Sequence, residues 1–303
     1  MKTEKISKEK WSILLIFAMV IWGTLSPVTR LLMHMPQGLL AFIRTGTAAL
    51  IVIVYIIATN NSLKIDKKDF PMLIFISILG GYLPPFLFNL GVQNTSAIIG
   101  SLLINMNPLF IPLFSLWLLR EKIKMSRIIY LLIGFIGVGI ISLNKHFEVS
   151  LTDKFTYGVM LLIAGAIFVA INTTLSKALV KKYSGLKIGA YFMIIGSACF
   201  LIHTFITGEL MSISAISLTD LILAIYIGIF PTAITWIIFL SSMHVLTPTE
   251  SGTFKLLIPV FAGIFSIIFL KEQLTINIII GALTVMASVY MVQRTNKTES
   301  IEL

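Results

Sequence analysis

Charge is scarce in this chain: 12% of its 303 residues are Asp, Glu, Lys or Arg, and only 13 are acidic. Soluble domains carry about 25% charged residues, so this chain lacks the polar surface that a globule of its length needs. Cysteine occurs once, at Cys199, which leaves no disulfide framework or thiolate metal site. The four histidines, His34, His146, His203 and His244, are dispersed and show no zinc spacing. No glycine-rich phosphate loop is present; Gly134, Gly137 and Gly139 read instead as positions of close helix packing. No metal, cofactor or ATP hydrolysis is therefore expected. An enzyme is not expected either, because no acids or histidines converge at one depth.

What is there is apolar. Hydrophobic residues make up 57% of the chain and the mean hydropathy is +0.98. A run of about 18–25 apolar residues crosses a hydrocarbon core of roughly 30 Å. Ten such runs start near Trp11, Gln37, Phe70, Thr95, Arg127, Phe155, Leu186, Asp220, Thr247 and Thr275. Short polar connectors separate them, among them 60–69, 144–154, 181–187 and 208–219. The first run leads straight into nine more, unlike a cleaved signal peptide. The expectation is an all-α polytopic membrane protein with ten transmembrane helices.

Two blocks repeat without a gap at a spacing of 151 residues, NPLFIPLFSLWLLREKI at 107–123 and IPVFAGIFSIIFLKEQL at 258–274. They match at Pro108/Pro259, Phe110/Phe261, Phe114/Phe265, Ser115/Ser266, Leu119/Leu270 and Glu121/Glu272. Nearer the N-terminus the offset is 147, pairing Arg30 with Lys177, so the halves run 1–147 and 148–303. Five crossings per half is an odd number. The second half then enters the membrane inverted, the architecture of alternating-access transporters.

Basic residues set the orientation. With the N-terminus inside, sixteen lie in inner segments (Lys2, Lys5, Lys8, Lys10, Lys64, Lys67, Lys68, Arg120, Lys122, Lys124, Arg127, Lys181, Lys182, Lys187, Arg294, Lys297) and three outside (Lys145, Lys154, Lys271). Both termini are expected in the cytoplasm. The net charge of +10 is thereby spent on topology, so no nucleic-acid partner is expected.

The pattern IWGTLSPVTRL at 21–31, Phe42-Ile43-Arg44, and the two Pro-to-Glu blocks resemble the drug/metabolite transporter superfamily, and more narrowly the bacterial ten-helix EamA family. The likeness spans essentially the whole chain. It implies a secondary transporter of the bacterial plasma membrane, its substrate cavity near the midplane and walled by helices 1, 3, 4, 6, 8 and 9. Family substrates are amino acids, other small metabolites and toxic compounds, commonly exported, while some relatives import choline or S-adenosylmethionine or exchange nucleotide sugars. Membrane lipid and a small solute are the expected partners, with no obligate protein partner and no cofactor.

Charged groups inside the membrane cost several kcal/mol and survive where they face protein, water or ligand. Lys255 lies about 12 Å into helix 9 at 1.5 Å per residue, and its repeat equivalent is Ile104, so the repeat does not demand it. It is the leading candidate to hold a substrate carboxylate or phosphate, against the bland readings of pairing with Glu250 or reaching the interface. Arg44, whose equivalent is Tyr191, is a second candidate that serves equally well as a structural cation. Asn105 is expected opposite Lys255, with Trp22, Tyr82, Tyr226 and Trp236 as walls. Glu250 is the one candidate for proton coupling and also a natural helix cap. Arg30 and Lys177 read as helix-end cations; Pro108, Pro259, Glu121 and Glu272 read as gating or structural. The expected cargo is a small polar metabolite bearing an anionic group, with an exporter of cationic or aromatic drugs, or an importer of a metabolite such as choline or S-adenosylmethionine, as the alternative.

Overall fold

A computed structural model of the chain describes residues 7–94, 103–120, 123–142, 153–271 and 276–299, and among them every regular element is helical. The first half holds α1 (Lys8–Gly23) and α2 (Leu25–Leu31), α3 (Gln37–Ala58), α4 (Phe70–Gly81) and α5 (Leu83–Asn94), α6 (Asn107–Leu119) and α7 (Met125–Ser142). The second holds α8 (Asp153–Tyr183), α9 (Gly185–Thr207), α10 (Leu218–Gly228), α11 (Thr235–Ser242), α12 (Pro248–Thr253), α13 (Ile258–Leu270) and α14 (Ile276–Glu299). A π-helical turn, Ile229–Ile234, joins α10 to α11, and a 3-10 turn, Phe254–Leu257, joins α12 to α13.

Seven of the described helical segments are long and apolar enough to span a membrane: Lys8–Leu31, Gln37–Ala58, Phe70–Gly91, Lys154–Tyr183, Gly185–Thr207, Leu218–Ser242 and Pro248–Phe269. Three shorter apolar helices, Asn107–Leu119, Met125–Ile140 and Ile279–Val292, occupy the places of the other expected runs. The starts expected near Thr95 and Thr275 lie outside the described residues, as do Glu121 and Glu272. The connector expected over 181–187 is corrected. Helix α8 runs through Tyr183 and α9 begins at Gly185, so Ser184 alone, at φ +103°, makes the turn. Lys181 and Lys182 stay helical because cations are favourable at the negative end of the helix dipole.

The repeat is legible in backbone geometry. Pro108 and Pro259 each stand at the first turn of a helix, α6 and α13, where a missing N–H costs nothing because that donor is unpaired anyway. Both helices end on a left-handed basic residue, Arg120 at φ 53°, ψ 34° and Lys271 at φ 54°, ψ 33°. Their N–H groups donate to the carbonyls of Ser115 and Ser266, the matched serines. A non-glycine residue pays about 1–2 kcal/mol for that conformation, so its recurrence reflects a shared capping design.

Packing follows the same symmetry. Helices α4, α5 and α6 lie against α8, while α11 and α13 lie against α1; α3 pairs with α9 and α7 with α14. At the last contact a Cβ on Gly134 would lie 2.5 Å from Ser288 Oγ, and one on Gly137 would lie 2.9 Å from the Gly281 carbonyl. A Cβ on Gly139 would meet nothing within 4 Å among the described residues. Large apolar side chains such as Trp117, Phe205 and Ile206 point outward, at 75%, 76% and 77% exposure, which suits a lipid surroundings and not water.

The two ends of the bundle are fastened differently. At the basic end Lys182 donates to Asp66 and Asp69, Tyr183 donates to Asp69, and Tyr191 Oη donates to the Leu63 carbonyl at 3.0 Å. At the opposite end His34 Nε2 meets Asp220 Oδ2 at 3.0 Å, and Leu39 N–H donates to Glu209 Oε2 at 2.9 Å.

Candidate functional site

Three interruptions of regular helix bring the central side chains together. In the first span α1 gives way to α2 at Thr24, because Pro27 lacks the N–H that would bond back to Gly23. Gly23 also lets α13 come close, since a Cβ there would sit 2.5 Å from Phe261 Cβ. Between α10 and α11 Pro231 lies in the π turn, and Thr232 Oγ1 donates to the Ile227 carbonyl five residues back at 2.7 Å. Between α12 and α13 the 3-10 turn before Pro259 carries Lys255. Single π turns and 3-10 stretches inside longer helices are common at functional positions.

Lys255 is 3% exposed. Its Nζ lies 4.1 Å from the Phe239 ring centroid, 5.2 Å from Trp236 and 5.5 Å from Trp22. The rings also hold one another: Trp22 meets Trp236 edge-on at 5.2 Å, Trp236 meets Phe239 at 5.7 Å, and Phe192 backs Trp236 at 6.0 Å. Among the described residues no carboxylate pairs with Lys255. Cation–π contacts in a desolvated setting contribute about 2 kcal/mol or more, which offsets part of the several kcal/mol that burying an ammonium costs.

Neither bland expectation for Lys255 holds. Glu250 turns away to close a capping box with Thr247: its Oε2 accepts the Thr247 N–H at 2.8 Å, and its own N–H donates to Thr247 Oγ1 at 3.2 Å. The other oxygen, Oε1, pairs with Lys8 Nζ at 3.5 Å. The ammonium does not reach the interface either. Lys177, by contrast, behaves as a helix-end cation, donating to the carbonyls of Met243 and Leu246 just past α11.

Tyr226 and Tyr82 stand in different side-chain clusters. Tyr226 Oη donates to Thr24 Oγ1 at 3.0 Å, tying α10 to the break in the first span. Tyr82 occupies the junction of α4 and α5 and packs with Phe86, Phe200 and His203, apart from the lysine. Asn105 stands in the turn before α6. Arg44 on α3 has its Nε buried without a hydrogen-bond partner. Phe239 and Phe192 were not anticipated, because an apolar residue in an apolar helix carries no signal. The spacing of Trp236 and Phe239, three apart and hence on one helix face, is the cue that could have found Phe239.

This geometry defines a class: a helical membrane protein of two matched halves with a buried cation in an aromatic setting between spans. The EamA-like transporter family model matches the chain twice, over residues 9–143 and 156–294. The chain belongs to the EamA-like transporter family, within the drug/metabolite transporter superfamily. It is similar to the uncharacterized transporter YvbV of Bacillus subtilis (strain 168), 26% identical over 302 residues that cover 98% of this chain and 95% of the relative. An uncharacterized transporter of Archaeoglobus fulgidus is 27% identical over 290 residues, covering 94% and 99%. One solved crystal structure superposes with a TM-score of 0.85 at 16% identity, over 96% of this chain and 99% of that one. The protein is thus a multi-pass membrane transporter and not an enzyme.

Proposed function

We propose that this transporter carries a small polar organic metabolite with an anionic group, an amino acid or a related acid, out of the cell across the plasma membrane by alternating access. Ten spans in inverted halves, 1–147 and 148–303, with both termini cytoplasmic, are part of the same reading. The paired caps at Arg120 and Lys271 and the matched packing of the halves support it.

One observation carries the choice of cargo. Lys255 is a buried cation with rings and, among the described residues, no acid beside it, and such a buried charge is retained where a ligand of opposite sign completes it. Arg44 adds a second positive group at depth. Asn105, Tyr82 and Tyr226 are proposed to enter the substrate path in another conformation, and Pro108 and Pro259 to sit where the two discontinuous helices bend. A cationic or aromatic solute draws support from the three rings, yet such a cation would have to displace the ammonium already there. Glu250 is proposed as a fastener, and proton coupling through it would show as a pH dependence of transport that Glu250→Gln removes.

The test is a ligand-stabilisation screen of purified protein against amino acids, organic acids, nucleotides and choline-like cations, followed by Lys255→Met. A charge-assisted hydrogen bond contributes about 1.5–3 kcal/mol, so Lys255→Met should weaken the best organic anion by about 10- to 100-fold with the fold intact. Unchanged affinity and transport would remove Lys255 from the site.

A further inference from the structure

The three rings around Lys255 form a receptor for a cation, and the cation they hold belongs to the chain. Its Nζ lies 4.1, 5.2 and 5.5 Å from the centroids of Phe239, Trp236 and Trp22, all within the roughly 6 Å over which a ring face attracts an ammonium. The rings come from two spans, α1 and α11, and the lysine comes from a third. Ring-to-ring contacts at 5.2, 5.7 and 6.1 Å, with Phe192 behind Trp236, brace the cage without using the lysine. The matching position in the first half is Ile104, so symmetry does not require the lysine.

We infer that Lys255 is a tethered occupant of a preformed ammonium cage and sets the charge selectivity of the site. Its side chain fills the space a free organic cation would take and repels such a cation in a water-poor setting. The same ammonium remains available to an anionic solute. The inference rests on reading this region as the substrate site. It makes a second claim that the anionic-cargo reading does not: without the lysine, the cage takes a free alkylammonium.

Lys255→Ala removes three methylenes and the ammonium, which is the outline of n-propylammonium. The experiment compares thermal midpoints of the purified full chain with n-propylammonium, with n-propanol, and with sodium at equal ionic strength. Lys255→Ala should gain several degrees with n-propylammonium, the wild type should gain none, and Lys255→Ala/Phe239→Ala should lose at least half the gain. No gain in Lys255→Ala, an equal gain in the wild type, or an equal gain with n-propanol would each overturn the inference.

A second measurement does not depend on the truncated variant folding. Protein carrying lysine labelled with carbon-13 at Cε should show an upfield, ring-shifted signal that is absent in Lys255→Met, moves part of the way toward the ordinary lysine position in Phe239→Leu, and is thereby told apart from the lysines over Tyr183. An unshifted signal overturns the cage. The two readings part cleanly: cation gain by Lys255→Ala with no organic anion bound by the wild type keeps the cage and sinks the anionic cargo. Anion binding by the wild type with no cation gain does the reverse.

Discussion

At the scale of single residues, one acid and one base at neighbouring positions have taken opposite parts. Glu250 and Lys255 are both buried in the same span, yet the acid is engaged by Thr247 and Lys8 while the base lies over three aromatic rings. Because the capping acceptor survives as an amide, Glu250→Gln should keep the cap and lower stability through the weakened Lys8 contact. Glu250→Ala should cost a further 1 kcal/mol or so, the usual contribution of a capping box. Thermal unfolding of the two variants checks the order, and transport by Glu250→Gln should keep the wild-type pH profile. That Glu250 caps a helix was readable from Thr247-Pro248-Thr249-Glu250 alone. That Lys255 is met by Phe239 was not, because the contact depends on how the π turn at Ile229–Ile234 rotates α11.

At the scale of elements, glycine spacing and connector charge have separable consequences. Gly137 and Gly139 look alike in sequence, but only Gly137 lies against α14. Gly137→Ala should destabilise by about 1–3 kcal/mol, the cost of overpacking a close contact, whereas Gly139→Ala should leave the midpoint of thermal unfolding where it is. The 181–187 region shows a different limit of sequence reading. Its lysines suggest a loop, but Lys182 instead clasps Asp66 and Asp69 from the last turn of α8. The hydrogen bond from Lys182 is the main reason that both carboxyls stay charged to lower pH than usual. A carboxyl whose folded pKa is depressed stabilises the fold above its unfolded pKa, near 4, and loses that contribution as pH falls through the folded value. Protection of the 63–69 backbone against hydrogen exchange should therefore be highest near neutrality and fall in acid, and Lys182→Met should weaken that pH dependence, the remainder resting on the Tyr183 hydroxyl.

At the scale of the whole molecule, the halves share machinery and differ in fastening. The left-handed caps at Arg120 and Lys271 agree within a degree, whereas the lysine–aspartate clasp at 66–69 gives way at the far end to His34–Asp220 and the Glu209 contact with the Leu39 N–H. Tags at the two termini should both be cleaved by protease added to inside-out vesicles, where the cytoplasmic face is exposed, and should both stay intact when protease is added to sealed cells. Accessibility of one terminus from outside would break the inverted arrangement into unequal halves.

By itself the sequence determined that this protein lives in a bilayer, that it is built twice, and where its caps and prolines fall. These follow from local rules, since hydropathy counts residues, a missing N–H acts within one turn, and a duplicated string is visible as a string. Only the tertiary structure decided what surrounds Lys255, which glycines touch a neighbour, and that Tyr82 and Tyr226 stand in separate clusters. Those outcomes depend on the rotation and spacing of helices distant in sequence. In so apolar a chain nearly every face can be buried, so hydrophobicity cannot say which one is.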